Sequence, residues 1–296
     1  MSDSYHPAEP RIRLRTTDDG YSEFDPATGT LWGCMSPRGI PCLNLRLLND
    51  IRDFDRELAA NAFHLELHGV QHQVHTYVAA SAVPQIFSLG GDLALFLTLI
   101  RAADRAGLEH YARLSIDNIH ARAHNYFCPR LTTISLVQGQ ALGGGFELAL
   151  SSDLIIAENS AKLGFPEILL NLFPGMGAYS LLARRISPRA AEELLLSGKI
   201  LPAAQLHEMG VIDILAPDGQ GEAAVQTWIE KHARRRVGIQ GILQARKHVH
   251  PIARAELDAI VNTWVDTCLR LEERDLRTLT RVLRAQTDRL PTLAPL

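Results

Sequence analysis

The chain has 296 residues, 46% of them hydrophobic, with a formal net charge of −3 and four cysteines. That length allows one or two domains with an ample core, and the small net charge removes any general electrostatic ground for nucleic-acid binding. No apolar run reaches the ~20 residues of a membrane span, the opening Met1-Ser2-Asp3-Ser4-Tyr5-His6-Pro7 lacks the basic and apolar regions of a secretory signal, and Cys34, Cys42, Cys128 and Cys268 are scattered without a C-x-x-C pair, so a cytoplasmic protein free of structural zinc or a disulfide framework is expected.

Residues 1–10 read as a tail. The alternation in Arg11-Ile12-Arg13-Leu14-Arg15-Thr16 predicts a strand, turn chemistry follows at Asp18-Asp19-Gly20 and Pro26-Ala27-Thr28-Gly29, and Thr30 to Cys34 predicts the next strand of a meander. From Leu43 to Ala62, apolar Leu47, Leu48, Ile51, Phe54 and Leu58 recur at helical spacing between charges. His64 to His68 and Val74 to Val78 alternate and are expected to pair as strands. His64, His68, His72 and His75 invite a metal reading, but the alternation sends His72 and His75 to opposite faces, so solvated histidines and no metal are expected. Asp92 is placed to cap a helix starting at Leu93, helices continue to Ala123 with a break near Gly107, and Leu131 to Val137 is a β-branched strand.

That strand delivers the chain into Gln140-Ala141-Leu142-Gly143-Gly144-Gly145-Phe146-Glu147-Leu148. Three consecutive glycines let backbone approach a ligand, and a helix opening behind them offers unpaired N–H donors. Glu147 in the first turn is out of character for so apolar an element. A second carboxyl, Glu167, follows after a strand at Asp153 to Ala157 and a turn that returns the chain, so two carboxylates are expected beside one glycine-lined anion site. Amides aimed at a carbonyl oxygen stabilise the oxyanion left when a neighbouring carbon loses a proton, and carboxyls whose environments push their pKa values apart act as base and acid on adjacent carbons.

Farther along, Gly175-Met176-Gly177 imitates a dinucleotide fingerprint but has Ser180 at the third glycine. Ala190 to Leu196 and Ala203 to Gly210 predict helices, Val211 to Leu215 a closing strand, and Pro217-Asp218-Gly219-Gln220-Gly221 a boundary. From Ala255 to Arg289 a wide apolar stripe, including Leu257, Val261, Trp264, Val265 and Leu276, predicts two long amphipathic helices broken near Glu272-Glu273. Between Glu230 and Glu256 no acidic residue occurs while Lys231, Arg234, Arg235, Arg236, Arg246, Lys247 and Arg254 accumulate, as a solvated face or as a dock for an anionic partner.

The run QALGGGFELALSSDLIIAENSAKLGFPEILLNLFPGMGA resembles the signature of the crotonase (enoyl-CoA hydratase/isomerase) superfamily, and Phe87-Ser88-Leu89-Gly90-Gly91-Asp92-Leu93 resembles its second hallmark; the likeness spans roughly residues 30–215. The resemblance implies an α/β fold, a crotonase-type ββα superhelix core over residues 1–215 with a C-terminal helical region over 216–296 that covers the acyl pocket or an oligomer interface. It implies Glu147 and Glu167 as catalytic carboxyls, the amides of Leu89 and Gly144 as the oxyanion hole with Gly90 and Gly143 adjacent, and Leu142, Met176 and Trp264 as pocket wall. No cofactor is implied beyond the substrate's own carrier, coenzyme A or acyl carrier protein, and a homotrimer or dimer of trimers is expected, with no nucleic acid and no membrane insertion.

The N-terminal extension, the long insertion from His64 to Val83 and the C-terminal run from Val261 through Glu272-Glu273-Arg274 to Gln286 are similar to bacterial synthases of diffusible signal factor, a likeness that covers nearly the whole chain. This finer resemblance implies dehydration of a 3-hydroxyacyl group on acyl carrier protein to the cis-2-enoyl thioester, hydrolysis to the free acid, and a sensor protein as partner. No G-x-S-x-G elbow is present, so hydrolysis would use a carboxylate-activated water. The alternatives are an ordinary enoyl-CoA hydratase or isomerase, and a crotonase-fold module acting mainly by binding a sensor protein.

Overall fold

The computed structural model describes residues 11–288; the expected tail at 1–10 lies outside them. Three strands open the chain, β1 (Ile12–Thr16), β2 (Gly20–Asp25) and β3 (Thr30–Met35), and pair antiparallel as a meander. Helix α1 (Leu45–Ala60) begins where the Asn44 side chain accepts from the Leu47 N–H, and it buries Leu47, Leu48 and Leu58.

Strands β4 (His64–Leu67) and β5 (Val70–Gln73) form a hairpin of their own, joined by His68 and Gly69, both with positive φ. This corrects the expected pairing of His64–His68 with Val74–Val78: a two-residue turn with both φ positive matches the strand twist and closes the hairpin locally. Strand β6 (Thr76–Ser81) instead runs parallel between β3 and β8 (Thr132–Val137). After β7 (Ile86–Ser88), Asp92 caps α2 (Leu93–Arg101) through the Leu95 N–H. The break before α3 (Arg105–Ala123) falls at Ala103, with φ of 51°, rather than at Gly107, because Asp104 caps α3 by accepting from the Gly107 N–H.

The second half supplies β9 (Gln140–Leu142), α4 (Gly144–Leu150), β10 (Leu154–Glu158), β11 (Lys162–Gly164), α5 (Ala178–Leu182), α6 (Pro188–Ser197), β12 (Ile200–Pro202), α7 (Ala203–Glu208) and β13 (Ile214–Ala216). Val211 and Ile212 precede that last strand as core residues of the turn after α7, so the closing strand is shorter than expected. The chain finishes with α8 (Gly221–His232), α9 (Arg236–Val249), α10 (Arg254–Cys268) and α11 (Glu273–Asp288).

Seven strands make one sheet in the order β1-β2-β3-β6-β8-β10-β13, and four make a second in the order β12-β11-β9-β7. Helix α4 is buried along its whole length, as its apolar sequence requires. Helix α10 packs on α3 and α11 on α2. Arg113 bonds Asp258 at 2.7 Å, and Arg105–Asp266 and Arg254–Asp117 pairs add to the α3–α10 seam. Among the described residues no helix is long and apolar enough to cross a membrane.

Candidate active site

The smaller sheet explains how distant residues meet. Strands β7, β9 and β11 run parallel, with Ser88 opposite Ala141 and Leu142 opposite Gly164. Parallel strands in register release their chains at the same edge, so Leu89-Gly90-Gly91, Gly143-Gly144 and Phe165-Pro166-Glu167 leave the sheet side by side. The rings of Phe146 and Phe165 stack at 4.8 Å between centroids, fixing the neighbours of both carboxyls against each other. Both glutamates line one cavity whose space, open mouth included, is about 990 Å³.

Glu147 projects from the first turn of α4 and is 1% exposed. Its Oε1 accepts from the Met176 N–H at 2.8 Å and the Ala178 N–H at 2.9 Å. Those donors favour the ionised form, but burial and then the charge of Glu167 outweigh them and push the carboxyl up to about 8. Burial likewise pushes Glu167 up to about 7. Glu167 Oε2 is buried without any hydrogen-bond partner among the described residues, although the residue as a whole is partly exposed. Its Oε1 lies over Gly143, where a Cβ would stand only 2.1 Å away, and Gly143 holds φ of 48°. Glycine at that position is what admits the carboxyl.

The amide arrangement differs from expectation at one residue. The Leu89 N–H is donated to the Pro41 carbonyl at 2.7 Å, because the segment before α1 lies alongside Leu89–Gly91 and its Leu43 N–H bonds the Gly90 carbonyl at 2.8 Å. Leu89 therefore lines the cavity with its amide already engaged. Gly90 donates to Ser88 Oγ at 3.3 Å. The amides of Gly91 and Gly144 have no acceptor among the described residues, and the Gly91 nitrogen is 3.6 Å from where a Cβ on Gly144 would sit. The second free amide beside Gly144 is thus that of Gly91 and not that of Leu89.

Leu142, Met176 and Trp264 all line the cavity. Met176 Sδ closes on Gly144, where a Cβ would come within 2.7 Å. Trp264, on α10, meets Phe96 edge to face at 5.2 Å and covers Gly175. Sequence reasoning missed Phe96, Tyr111, Val282 and Gln286, which complete the wall from α2, α3 and α11. Tyr111 donates to the Leu43 carbonyl at 2.6 Å and accepts from the Asp92 N–H at 3.4 Å, pinning the loop that carries Gly91; no local pattern signals this, since its partners lie 68 and 19 residues away. None of the described residues lining the cavity is basic. In the cationic run, Arg246 and Lys247 are held by Asp153, and Arg254 by Asp117 and Asp258.

Residues 59–263 match the family profile described as enoyl-CoA hydratase/isomerase. Over 203 residues the chain is 32% identical to a probable enoyl-CoA hydratase of Mycobacterium leprae, a stretch covering 67% of this chain and 70% of that protein. It is 34% identical over 155 residues to the mitochondrial methylglutaconyl-CoA hydratase of Rattus norvegicus, covering 51% of this chain and 46% of that one. The crystal structure of human mitochondrial delta3-delta2-enoyl-CoA isomerase superposes with a TM-score of 0.72 over 91% of this chain and 98% of that one at 18% identity, a likeness of fold.

Proposed function

Since the chain belongs to the enoyl-CoA hydratase/isomerase family, we propose that it is a hydro-lyase that adds water to, or removes it from, the 2,3 double bond of an acyl thioester of coenzyme A. The observation that carries this reading is the pair of buried carboxyls, Glu147 and Glu167, lining one apolar cavity together with the free amides of Gly91 and Gly144. In the dehydrating direction the two amides hold the thioester oxygen. Glu167 removes the α-proton, and the negative charge moves onto that oxygen. Glu147, kept protonated by burial and by its neighbour, gives its proton to the departing hydroxyl, which leaves as water. Hydration is the same path reversed. Leu142, Met176 and Trp264 are the wall against which the acyl chain lies.

The test is hydration of crotonyl-CoA, followed by loss of the conjugated thioester and by NMR of the product. Glu147→Gln and Glu167→Gln are each expected to lower kcat by roughly 10²- to 10⁴-fold. Full turnover by either variant would overturn the two-carboxylate assignment.

One observation is compatible with the finer reading, synthesis of a cis-2-unsaturated fatty acid signal from 3-hydroxyacyl carrier protein. Glu167 Oε2 is buried without a partner, and such an oxygen can position a water for hydrolysis of the thioester. Supplying 3-hydroxydodecanoyl carrier protein separates the two readings: free acid with a cis double bond supports the synthase, whereas a trans product or no free acid leaves the hydratase. Assembly into an oligomer is supported by the exposed apolar residues Ile168, Leu169, Leu196 and Ile200, of which Ile200 lines the cavity, with sedimentation velocity as the check.

A further inference from the structure

A second cavity, of about 300 Å³, opens where the strands β6 and β8 begin, between them and the end of α8 with the start of α9. Its volume reaches the range of small-molecule sites, and it shares no residue with the acyl cavity. Thr76 and Thr132 stand opposite each other in register at the head of the two parallel strands, so their side chains share one face of the sheet. Both line the cavity, at 5% and 3% exposed, and neither hydroxyl bonds another described residue. Two buried hydroxyls with their donors unspent therefore border the space. Trp228, Ile229 and Ile239 give it an apolar side.

The cation on this wall is Arg236, the first residue of α9 and a member of the basic run between Glu230 and Glu256. Arg246, Lys247 and Arg254 of that run are held by aspartates. The partly buried Arg236 side chain makes no ion pair among the described residues, and its Nη1 is shut off from water without a hydrogen-bond partner; its other nitrogens are not closed off in this way. The guanidinium thus carries a partly desolvated charge that nothing offsets, a costly state that an anion at its open edge relieves. Burial and the Arg236 charge pull His75, beside it on the wall, below the usual histidine range, which leaves a neutral ring able to donate a hydrogen bond. Glu230 is the one carboxyl among the described lining residues; it is exposed and accepts from the Gln226 amide at 2.8 Å.

We propose that this cavity binds a monocarboxylate on a compact apolar body, aromatic or short aliphatic. The carboxylate pairs with Arg236 and accepts from the hydroxyls of Thr76 and Thr132, while the body lies against Trp228, Ile229 and Ile239. One uncompensated cation matches one negative charge, and hydrogen bonds to an ionised acceptor are the stronger kind. A dianion would be repelled twice over by Glu230, a cation would meet Arg236, and a neutral molecule would leave the guanidinium unpaired.

Benzoate is the probe. Crystals of the full chain grown with benzoate are expected to show it in this cavity, a carboxylate oxygen within about 3.2 Å of the Thr76 or Thr132 hydroxyl. In calorimetric titrations benzoate is expected to bind at least about tenfold more tightly than benzamide, its neutral counterpart, the advantage of hydrogen bonds to a charged group, and more tightly than inorganic phosphate. Arg236→Gln breaks no ion pair among the described residues; it is expected to keep the native circular dichroism spectrum and to weaken benzoate binding at least about tenfold. Thr132→Val, which keeps the side-chain shape and removes one hydroxyl, is expected to weaken it about threefold or more. The proposal is overturned by benzoate found only in the acyl cavity, by equal affinity for benzoate and benzamide, by tighter binding of phosphate than of benzoate, or by unchanged benzoate affinity in folded Arg236→Gln or Thr132→Val.

Discussion

Replacing Gly143 by alanine adds one methyl group at the point where the oxyanion turn and a carboxyl share space. The new Cβ would stand 2.1 Å from Glu167 Oε1. Ordinary contact begins near 3.4 Å, so that oxygen must retreat by about 1.3 Å. A displacement of about 1 Å at a reacting group costs on the order of 10²-fold in rate, and this one moves the proposed α-proton base itself. The backbone adds a separate cost. Gly143 holds φ of 48° and ψ of −122°, a conformation that strains a residue with a side chain by about 1 to 3 kcal/mol. For a domain of this size that corresponds to roughly 2 to 4 °C of Tm per kcal/mol. The two effects are separable with Gly210→Ala, where φ is 80° but no atom lies within 4 Å of the added Cβ. Steady-state hydration of crotonyl-CoA and differential scanning calorimetry on both variants give the comparison. Gly143→Ala is expected to lower kcat by about 100-fold or more and Tm as well; Gly210→Ala is expected to lower Tm alone. If Gly143→Ala stays within about threefold of the parent kcat, the placement of Glu167 over that glycine is not what turnover needs, and the argument fails.

Three further outcomes follow from the same geometry. Gly144→Ala puts a Cβ 2.7 Å from Met176 Sδ and 3.6 Å from the Gly91 nitrogen, crowding the space between the two amides, and a loss of roughly 10²- to 10³-fold in kcat is expected, the size of one lost oxyanion donor; KM and kcat measured together check it. Glu147, raised from the ordinary 4.5 to about 8, binds its proton more tightly in the native state than in the unfolded chain, so between those pH values the native protein holds the proton that the unfolded chain has released. Stability then falls as pH rises, by up to about 1.4 kcal/mol per pH unit for this group; Glu147→Gln should flatten that decline in urea melts from pH 5 to 8, and an unchanged slope would show that the group is not perturbed. Trp264→Ala removes a ring that is 5% exposed; it should destabilise by roughly 3 to 5 kcal/mol and shift preference toward longer or branched acyl chains, read as kcat/KM across a thioester series.

Much of the architecture was legible in local pattern. The Asp92 cap, the helix after Leu43, the C-terminal helices with their break before Glu273, and the carboxyl spacing from Glu147 to Glu167 all follow from residue type and periodicity, which act over a few residues. The hairpin at His68-Gly69 was also written there, as positive-φ turn chemistry, and was outweighed by the stronger alternation on either side. The acidic pair was visible because a glutamate in an all-apolar helix conflicts with its setting, and such local conflicts mark functional positions.

Other features exist only once distant segments pair. Which amide is free depends on the backbone of Pro41–Leu43 lying against Leu89–Gly91 and consuming the Leu89 N–H. Nothing in the motif around Leu89 encodes that. Whether two carboxyls share a cavity depends on the parallel register of β9 and β11, and the wall supplied by Trp264, Val282 and Gln286 depends on α10 and α11 folding back more than a hundred residues after Glu147. Residue types and their spacing determined by themselves which elements form and which carboxyls and glycines they carry. The tertiary structure decided which donors stay unpaired and which side chains enclose the reacting atoms, because backbone pairing and burial are properties of segments that meet only after the chain has closed its long loops.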